Sequence, residues 1–328
     1  MAGVVLAVDA GGTAVRMGLF RCAEGRLDSL LLSRFPSAGW SSFEDDMGGF
    51  LALPEVSAEM NRARERVAVF ALAGPTDEPT GRGSVTRWGP ETFRDVAPLL
   101  GSLSFDHCVL LNDLEAANHA VAAAGEDSLR PIDGIARPPS RGRFIHLRPG
   151  TGLGIGFFSG GRSFPSEGGS APCAFDADVP DELELARHLR PLSGGALPTY
   201  ESVLCGDGLR AMSEALTGRA VSPEVVTGEW HKEGENSEKT DRVMGLFIRL
   251  LARAAQGAAL TVLPEACFLS GSIVDALPEA AWESFCGPFR HHATHGPLLA
   301  RIRLALVKGP ELTLHGAALA GARALAGC

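Results

Sequence analysis

Twice in this chain a buried-strand pattern ends in a glycine-threonine turn. Gly3 to Val8 (GVVLAV) runs into Asp9-Ala-Gly-Gly-Thr13, and Phe144 to Leu147 runs into Arg148-Pro-Gly-Thr-Gly152. Continuous apolar runs of this length suit strands covered on both faces. Each turn is followed by another strand candidate, Val15 to Phe20 or Leu153 to Phe158. Glycine lets backbone N–H groups approach a phosphate with no Cβ in the way, and threonine adds a hydroxyl, so paired turns can clamp a nucleotide's phosphates from both sides. Either turn alone reads as readily as a plain hairpin; the repetition favours the nucleotide. Neither is a Walker A loop, because no Gly-Lys-Ser/Thr follows, and neither is a GxGxxG loop opening a helix, because both turns run strand to strand. Asp9, at its strand end, supplies the carboxylate that a Mg²⁺ shell takes through water; its alternative is a turn-capping role.

At 328 residues and 45% hydrophobic content the chain suits two domains around separate cores. Lys and Arg number 30 against 39 Asp and Glu, a formal net charge of −9, so there is no basic surplus for a nucleic-acid backbone. With 6% aromatic residues and a single Tyr there is no stacking platform for bases either. Seven cysteines without a CxxC pair argue against a disulfide framework and a closed zinc site, and fit a reducing cytoplasm. The apolar run Val4 to Val8 stops at Asp9, too short for a signal-peptide core, and no later stretch reads as a membrane span. The expectation is a soluble protein that binds neither nucleic acid nor membrane.

Further strands are expected at Leu27 to Arg34, Arg66 to Ala71 (leading into Gly74-Pro75), His107 to Leu111, Ala266 to Leu269 and Arg301 to Val307, with an edge strand before Glu167. Helices are expected at Phe43 to Met60, Glu91 to Leu100, Leu114 to Ala124, Asp181 to Leu189, Asp207 to Leu216, Glu238 to Leu263 and Leu314 to Ala326. Gly81 to Pro90 reads as irregular, and Pro131 to Arg143 and Gly228 to Thr240 read as surface loops.

Eight motifs in order resemble those of the bacterial glucokinase family, within the hexokinase-type, actin-like ATPase superfamily. They are Asp9 to Thr13 with Arg16; Ala71-Leu-Ala-Gly-Pro75; Leu111-Asn112-Asp113; Gly150 to Gly154; Glu167-Gly-Gly169; Tyr200 to Leu209; Ser270-Gly-Ser-Ile273; and the Gly316 to Gly321 helix. The resemblance covers essentially the whole chain. It implies an α/β fold of two domains, each with a mixed five-stranded sheet flanked by helices (ribonuclease H-like), with nucleotide and sugar in the interdomain cleft. The smaller domain would span 1–112, completed by the C-terminal helix 310–328, and the larger 113–309. Cleft closure on sugar binding would exclude water.

The resemblance further implies ATP and Mg²⁺ as cofactors and a sugar as the acceptor, and it leaves a homodimer open. Asp113 would be the general base that takes the proton of the sugar hydroxyl; an ordinary carboxylate suffices where the nucleophile keeps its proton until late. The competing role for Asp113 is a helix N-cap. Asn112, Asp113, Glu167, Ser170, Glu201, Gly74 and Pro75 would bind the sugar, and Asp9, Gly11, Gly12, Thr13, Arg16, Gly150, Thr151, Gly152, Gly271 and Ser272 the nucleotide, with Asp9 also facing the metal. Glucose phosphorylated at its 6-hydroxyl is the leading reading.

The sequence departs from the family most after Glu167-Gly-Gly, where the usual His and, two residues on, Asp are replaced by Ser170 and Pro172. A hydroxymethyl group reaches less far than an imidazole, so the acceptor need not be glucose; another sugar such as an N-acylhexosamine, or a non-catalytic binder, stays open. Arg148 stands where glycine is common, either beside the polyphosphate or facing solvent. A sugar-responsive transcription regulator would carry an added N-terminal DNA-binding domain, for which Asp9 falls too early. His291 and His295 could share a helix face as metal ligands, but Pro288, Gly296 and Pro297 bracket them and favour exposed histidines.

Overall fold

The computed structural model describes residues 3–89, 93–100, 105–132, 142–230, 237–309 and 311–325. The chain divides into two compact units, Met1–Ala123 with Gly309–Cys328, and Ala124–Lys308.

The first unit opens with β1 (Gly3–Ala10), β2 (Ala14–Ala23) and β3 (Arg26–Pro36), followed by α1 (Trp40–Leu51), α2 (Pro54–Arg62) and β4 (Arg66–Leu72). Three two-residue strands, β5 (Thr76–Asp77), β6 (Arg82–Gly83) and β7 (Arg94–Asp95), precede β8 (His107–Asn112) and α3 (Asp113–Ala123). The main sheet has the order β3-β2-β1-β4-β8. β1, β2 and β3 pair antiparallel, whereas β4 and β8 run parallel to β1.

Every residue of β1 is buried because both faces are covered. Leu6 and Val8 join Phe43, Met47 and Phe50 of α1, while Val5 and Ala7 meet Leu314, Ala317 and Ala318 of the C-terminal helix Leu312–Ala324. Fully burying a Val, Leu, Phe or Met side chain contributes about 1.5–3 kcal/mol. Two glycines let that helix in: a Cβ on Gly321 would come within 2.9 Å of Val69 Cγ2, and one on Gly316 would lie 2.6 Å from the carbonyl carbon of Ala116 in α3. α3 therefore packs with the first unit, and the division falls at its far end rather than at its start.

Two helix expectations change here. The helix expected over Phe43 to Met60 is broken by Pro54, which opens α2 at a position where its missing N–H costs nothing. The segment expected as a helix over Glu91 to Leu100 instead pairs Arg94 and Asp95 with β6 and ends in a 3-10 turn, Ala97–Leu100. Pro98 opposes a helix through this segment, and Glu91 and Thr92 lie outside the described residues.

The second unit contains β9 (Leu129–Pro131), β10 (Phe144–Pro149), β11 (Leu153–Ser159), β12 (Arg162–Phe164), α4 (Pro180–Leu192), α5 (Tyr200–Val203), α6 (Gly206–Thr217) and α7 (Pro223–Glu229). It continues with α8 (Ser237–Val262), β13 (Ala266–Leu269), α9 (Ser272–Ala276), α10 (Glu279–Arg290), α11 (Gly296–Leu299) and β14 (Arg303–Val307). Its sheet, β12-β11-β10-β13-β14-β9, repeats the strand order and directions of the first unit and adds a sixth strand where five were expected. The extra strand is β9, three residues paired antiparallel to β14, with Pro131 at a sheet edge where a missing N–H is tolerated.

α8 is long and apolar enough to cross a membrane by length and composition alone, but Met244, Phe247, Leu250 and Leu251 lie in this unit's core. Of the loop expected over Gly228 to Thr240, 228–229 belong to α7 and 237–240 to α8; 231–236 lie outside the described residues, as do 133–141 of the other expected loop. Among the described residues Cys108, Cys173, Cys205, Cys267 and Cys286 are free thiols; Cys22 is disulfide-bonded, against the expectation of reduced cysteines.

Candidate active-site residues

In the first unit the turn after β1 is held from below. Gly11 N–H donates to Ala14 O at 3.0 Å, Ser37 Oγ donates to Gly11 O at 2.7 Å, and Trp88 Nε1 donates to Ser37 Oγ at 2.7 Å. Gly12 leaves room for Arg87, whose Cδ would lie 2.6 Å from a Cβ there, while Thr13 is exposed at the tip. Asp9 is almost fully buried, and its Oδ2 accepts from Arg16 Nη1 at 2.9 Å across the β1–β2 pair. Arg16 thus anchors Asp9.

The loop after β4 meets the junction of β8 and α3. Gly74 cannot carry a side chain, because a Cβ would meet Ser84 O at 2.5 Å and Thr86 N at 2.9 Å. Pro75 O accepts from Ser84 N–H. Asn112 Nδ2 donates to Gly74 O at 3.1 Å, and its Oδ1 accepts from Leu114 N–H at 2.9 Å. Glu115 Oε2 in turn accepts from Asn112 N–H at 3.0 Å, completing a reciprocal cap. The capping role that competed for Asp113 is therefore taken by Asn112. Asp113, half-buried, occupies the first helical position, where the peptide dipoles favour negative charge.

In the second unit Gly150 N–H donates to Gly152 O at 2.8 Å to close the second turn, and Thr151 is exposed at its tip. Gly271, at φ 106°, packs against the end of β10, since a Cβ would lie 2.5 Å from Pro149 O and 3.2 Å from Arg148 Cγ. Ser272 Oγ would lie 3.8 Å from a Cβ on Gly150, so the turn and the Gly271-Ser272 corner adjoin. Glu167 opens a 3-10 turn, Gly168–Ser170, pressed so tightly onto Leu153 O that Gly169 has no room for a Cβ. Ser170 is exposed, its N–H donating to Glu167 O at 2.9 Å. Pairing of Ala171–Cys173 with Pro198–Tyr200 carries Glu201 to the same place. The second unit thus brings Gly150, Thr151, Gly152, Glu167, Glu201, Gly271 and Ser272 into one neighbourhood.

The glucokinase family model matches residues 6–324. The chain belongs to the glucokinase family. Among relatives, the glucokinase of Nostoc punctiforme is 26% identical over 351 residues, covering 98% of this chain and 99% of its own, and that of a Chelativorans species is 30% identical over 331, covering 96% and 90%. The crystal structure of a glucokinase from Balamuthia mandrillaris in complex with glucose has the same fold, with a TM-score of 0.78, 21% identity and coverage of 98% and 93%. A ROK family transcriptional regulator shares it too, at a TM-score of 0.71 and 13% identity over 96% of this chain and 77% of that one. Glucokinase-family membership makes the chain a sugar kinase.

Electrostatics separate the acids of this glucokinase-family chain. Partial burial, and then the nearby Glu201 charge, push Glu167 above the usual carboxylate range. Burial raises Glu115 as well, against the lowering effect of its bond from Asn112. Asp275, on α9 after Ser272, is raised by burial although Arg148 and Lys308 pull it down, which places the Arg148 guanidinium's field over that corner. The buried imidazole of His146, 2.7 Å from Ser270 Oγ, is pushed down to about 3 by burial and then by Arg148. His291 and His295 share no helix, because α10 ends at Arg290 and α11 begins at Gly296; His292 Nδ1 instead accepts from Thr294 and His295 N–H.

Sequence reasoning did not single out Ser37, Trp88, Arg87 or Glu115. Only Glu115 carried a readable signal, the Asn-x-x-Glu spacing of a reciprocal cap.

Proposed function

We propose that this sugar kinase transfers the γ-phosphoryl group of ATP to the 6-hydroxyl of an aldohexose, glucose being the leading acceptor, in the cytoplasm. The reading rests on the β8–α3 junction, where Asn112 and Glu115 form the cap and Asp113 stands at the first position of the helix. In this reading Asp113 accepts the hydroxyl proton as the oxygen attacks phosphorus, a contribution of about 10²–10⁴-fold. Positioning by the loops supplies more, up to about 7–11 kcal/mol. In this reading the sugar's hydroxyls are held by Glu167, Ser170 and Glu201 of the second unit and by Asn112 and the Gly74-Pro75 loop of the first. The turns Gly11–Thr13 and Gly150–Gly152 take the polyphosphate, with Gly271 and Ser272 on the nucleoside side. The strand order shared by both units supports the ribonuclease H-like, actin-like assignment.

Among the described residues no group of three His, Cys, Asp or Glu side chains could hold a metal. A single carboxylate, Asp9 paired with Arg16, fits a Mg²⁺ carried mainly by phosphate oxygens and water. The cation would neutralise phosphate charge, and Asp9 would meet its water shell.

Ser170 and Pro172 favour a second reading, a kinase for a different sugar such as an N-acylhexosamine. A coupled assay across hexoses and N-acylhexosamines, with Mg·ATP saturating, decides between them by the highest kcat/KM. No turnover with any of these sugars would remove both readings.

A further inference from the structure

The segment Thr199–Gly206 ties the sugar-facing loop to the second glycine turn. At one end Tyr200 N–H donates to Ala171 O at 3.0 Å and Pro172 bridges Thr199; at the other, Gly206 N–H donates to Gly150 O at 2.9 Å. The reciprocal cap between Thr199 and Ser202 fixes the start of α5. That places the Glu201 carboxylate on the turn itself: a Cβ on Gly152 would lie 3.4 Å from Glu201 Cδ and nearer still to Oε1. Its charge also reaches Glu167 and the Cys205 thiol, raising both. No cation pairs with Glu201 in the described ion pairs.

We propose that Glu201 is a charge gate on the nucleotide subsite: without sugar its carboxylate lies against the Gly150–Gly152 turn and repels the polyphosphate. When sugar hydroxyls engage the carboxylate, the repulsion falls, so sugar and nucleotide bind with positive coupling and hydrolysis of ATP without sugar is suppressed. The coupling is reciprocal, because each ligand relieves the same obstacle to the other. The inference rests on the proposed assignment of that turn to phosphates.

The test is calorimetric titration of Mg·ADP into sugar-free wild type and Glu201→Gln, a near-isosteric change at an exposed position, at low and high salt. The variant should bind Mg·ADP about tenfold more tightly at low salt, with the gap closing as salt screens the carboxylate. Its sugar-independent ATP hydrolysis should rise in step. Equal affinity in both proteins at low salt overturns the gate and leaves the kinase reading standing. A gap that persists at high salt also overturns it, as a shape effect rather than a charge effect. Absence of Mg·ADP binding in both proteins removes the phosphate-turn assignment and the gate with it.

Discussion

Gly316→Ala tests whether α3, which begins at Asp113, is positioned by its packing. The C-terminal helix crosses α3 so closely that a new Cβ would sit 2.6 Å from the Ala116 carbonyl carbon and 3.2 Å from Ala120 N, and nearer still to Ala116 O. These are backbone atoms, so no rotamer change relieves the clash, and α3 must recede by roughly 1.5 Å to reach ordinary contact distances. Overpacking of this kind costs about 1–3 kcal/mol. For units of this size each kcal/mol lowers Tm by about 2–4 °C. Asn112 and Asp113 sit at the start of the displaced helix, and a misplacement of about 1 Å can cost about 10²-fold in rate. Thermal melts and steady-state kinetics should show both losses, the rate loss falling on kcat. Gly257→Ala is the control: nothing lies within 4 Å of its new Cβ in the exposed α8 backbone, and it should gain about 0.4–1 kcal/mol. A Gly316→Ala enzyme with wild-type Tm and kcat would refute the packing account of α3.

Other outcomes follow from the same geometry. Glu115→Ala removes the acceptor of Asn112 N–H; stability should fall by about 1 kcal/mol, with kcat falling further than sugar KM rises, and equal effects on both would remove its positioning role. Burial pushes His146 down to about 3 and His119 to about 4, so the unfolded chain binds those protons first; stability present above about pH 6.5 should drain away on acidification toward 3. Glu115, Glu167 and Asp275, all raised, act with the opposite sign. His146→Gln should flatten the acid limb of a denaturation series, and an unchanged slope contradicts the assignment. Because Glu167 is raised, sugar KM should climb on acidification at a higher pH than an ordinary carboxylate dictates, and Glu167→Gln should abolish that rise.

Much of the fold was legible because its central strands open on apolar runs: β1 and β10 needed only those runs and the glycines that follow them. What misled was local. Pro54 and Pro98 override helical composition, and β9 has only three residues, too few for any periodicity to show. At the candidate site the motif residues were readable, but their division of labour was not. Asn and Asp are equally good caps, so only the bond from Leu114 N–H to Asn112 Oδ1 separates Asn112 from Asp113. Trp88 holds Ser37 across 51 positions and Glu201 meets Gly152 across a similar span, contacts that depend on chain folding and leave no local pattern.

The most direct measurement pairs turnover with binding in Asp113→Asn. The account predicts sugar and Mg·ADP affinities near wild type by calorimetry, and kcat for sugar phosphorylation reduced about 10²–10⁴-fold. Turnover within a few-fold of wild type would show that another group takes the hydroxyl proton.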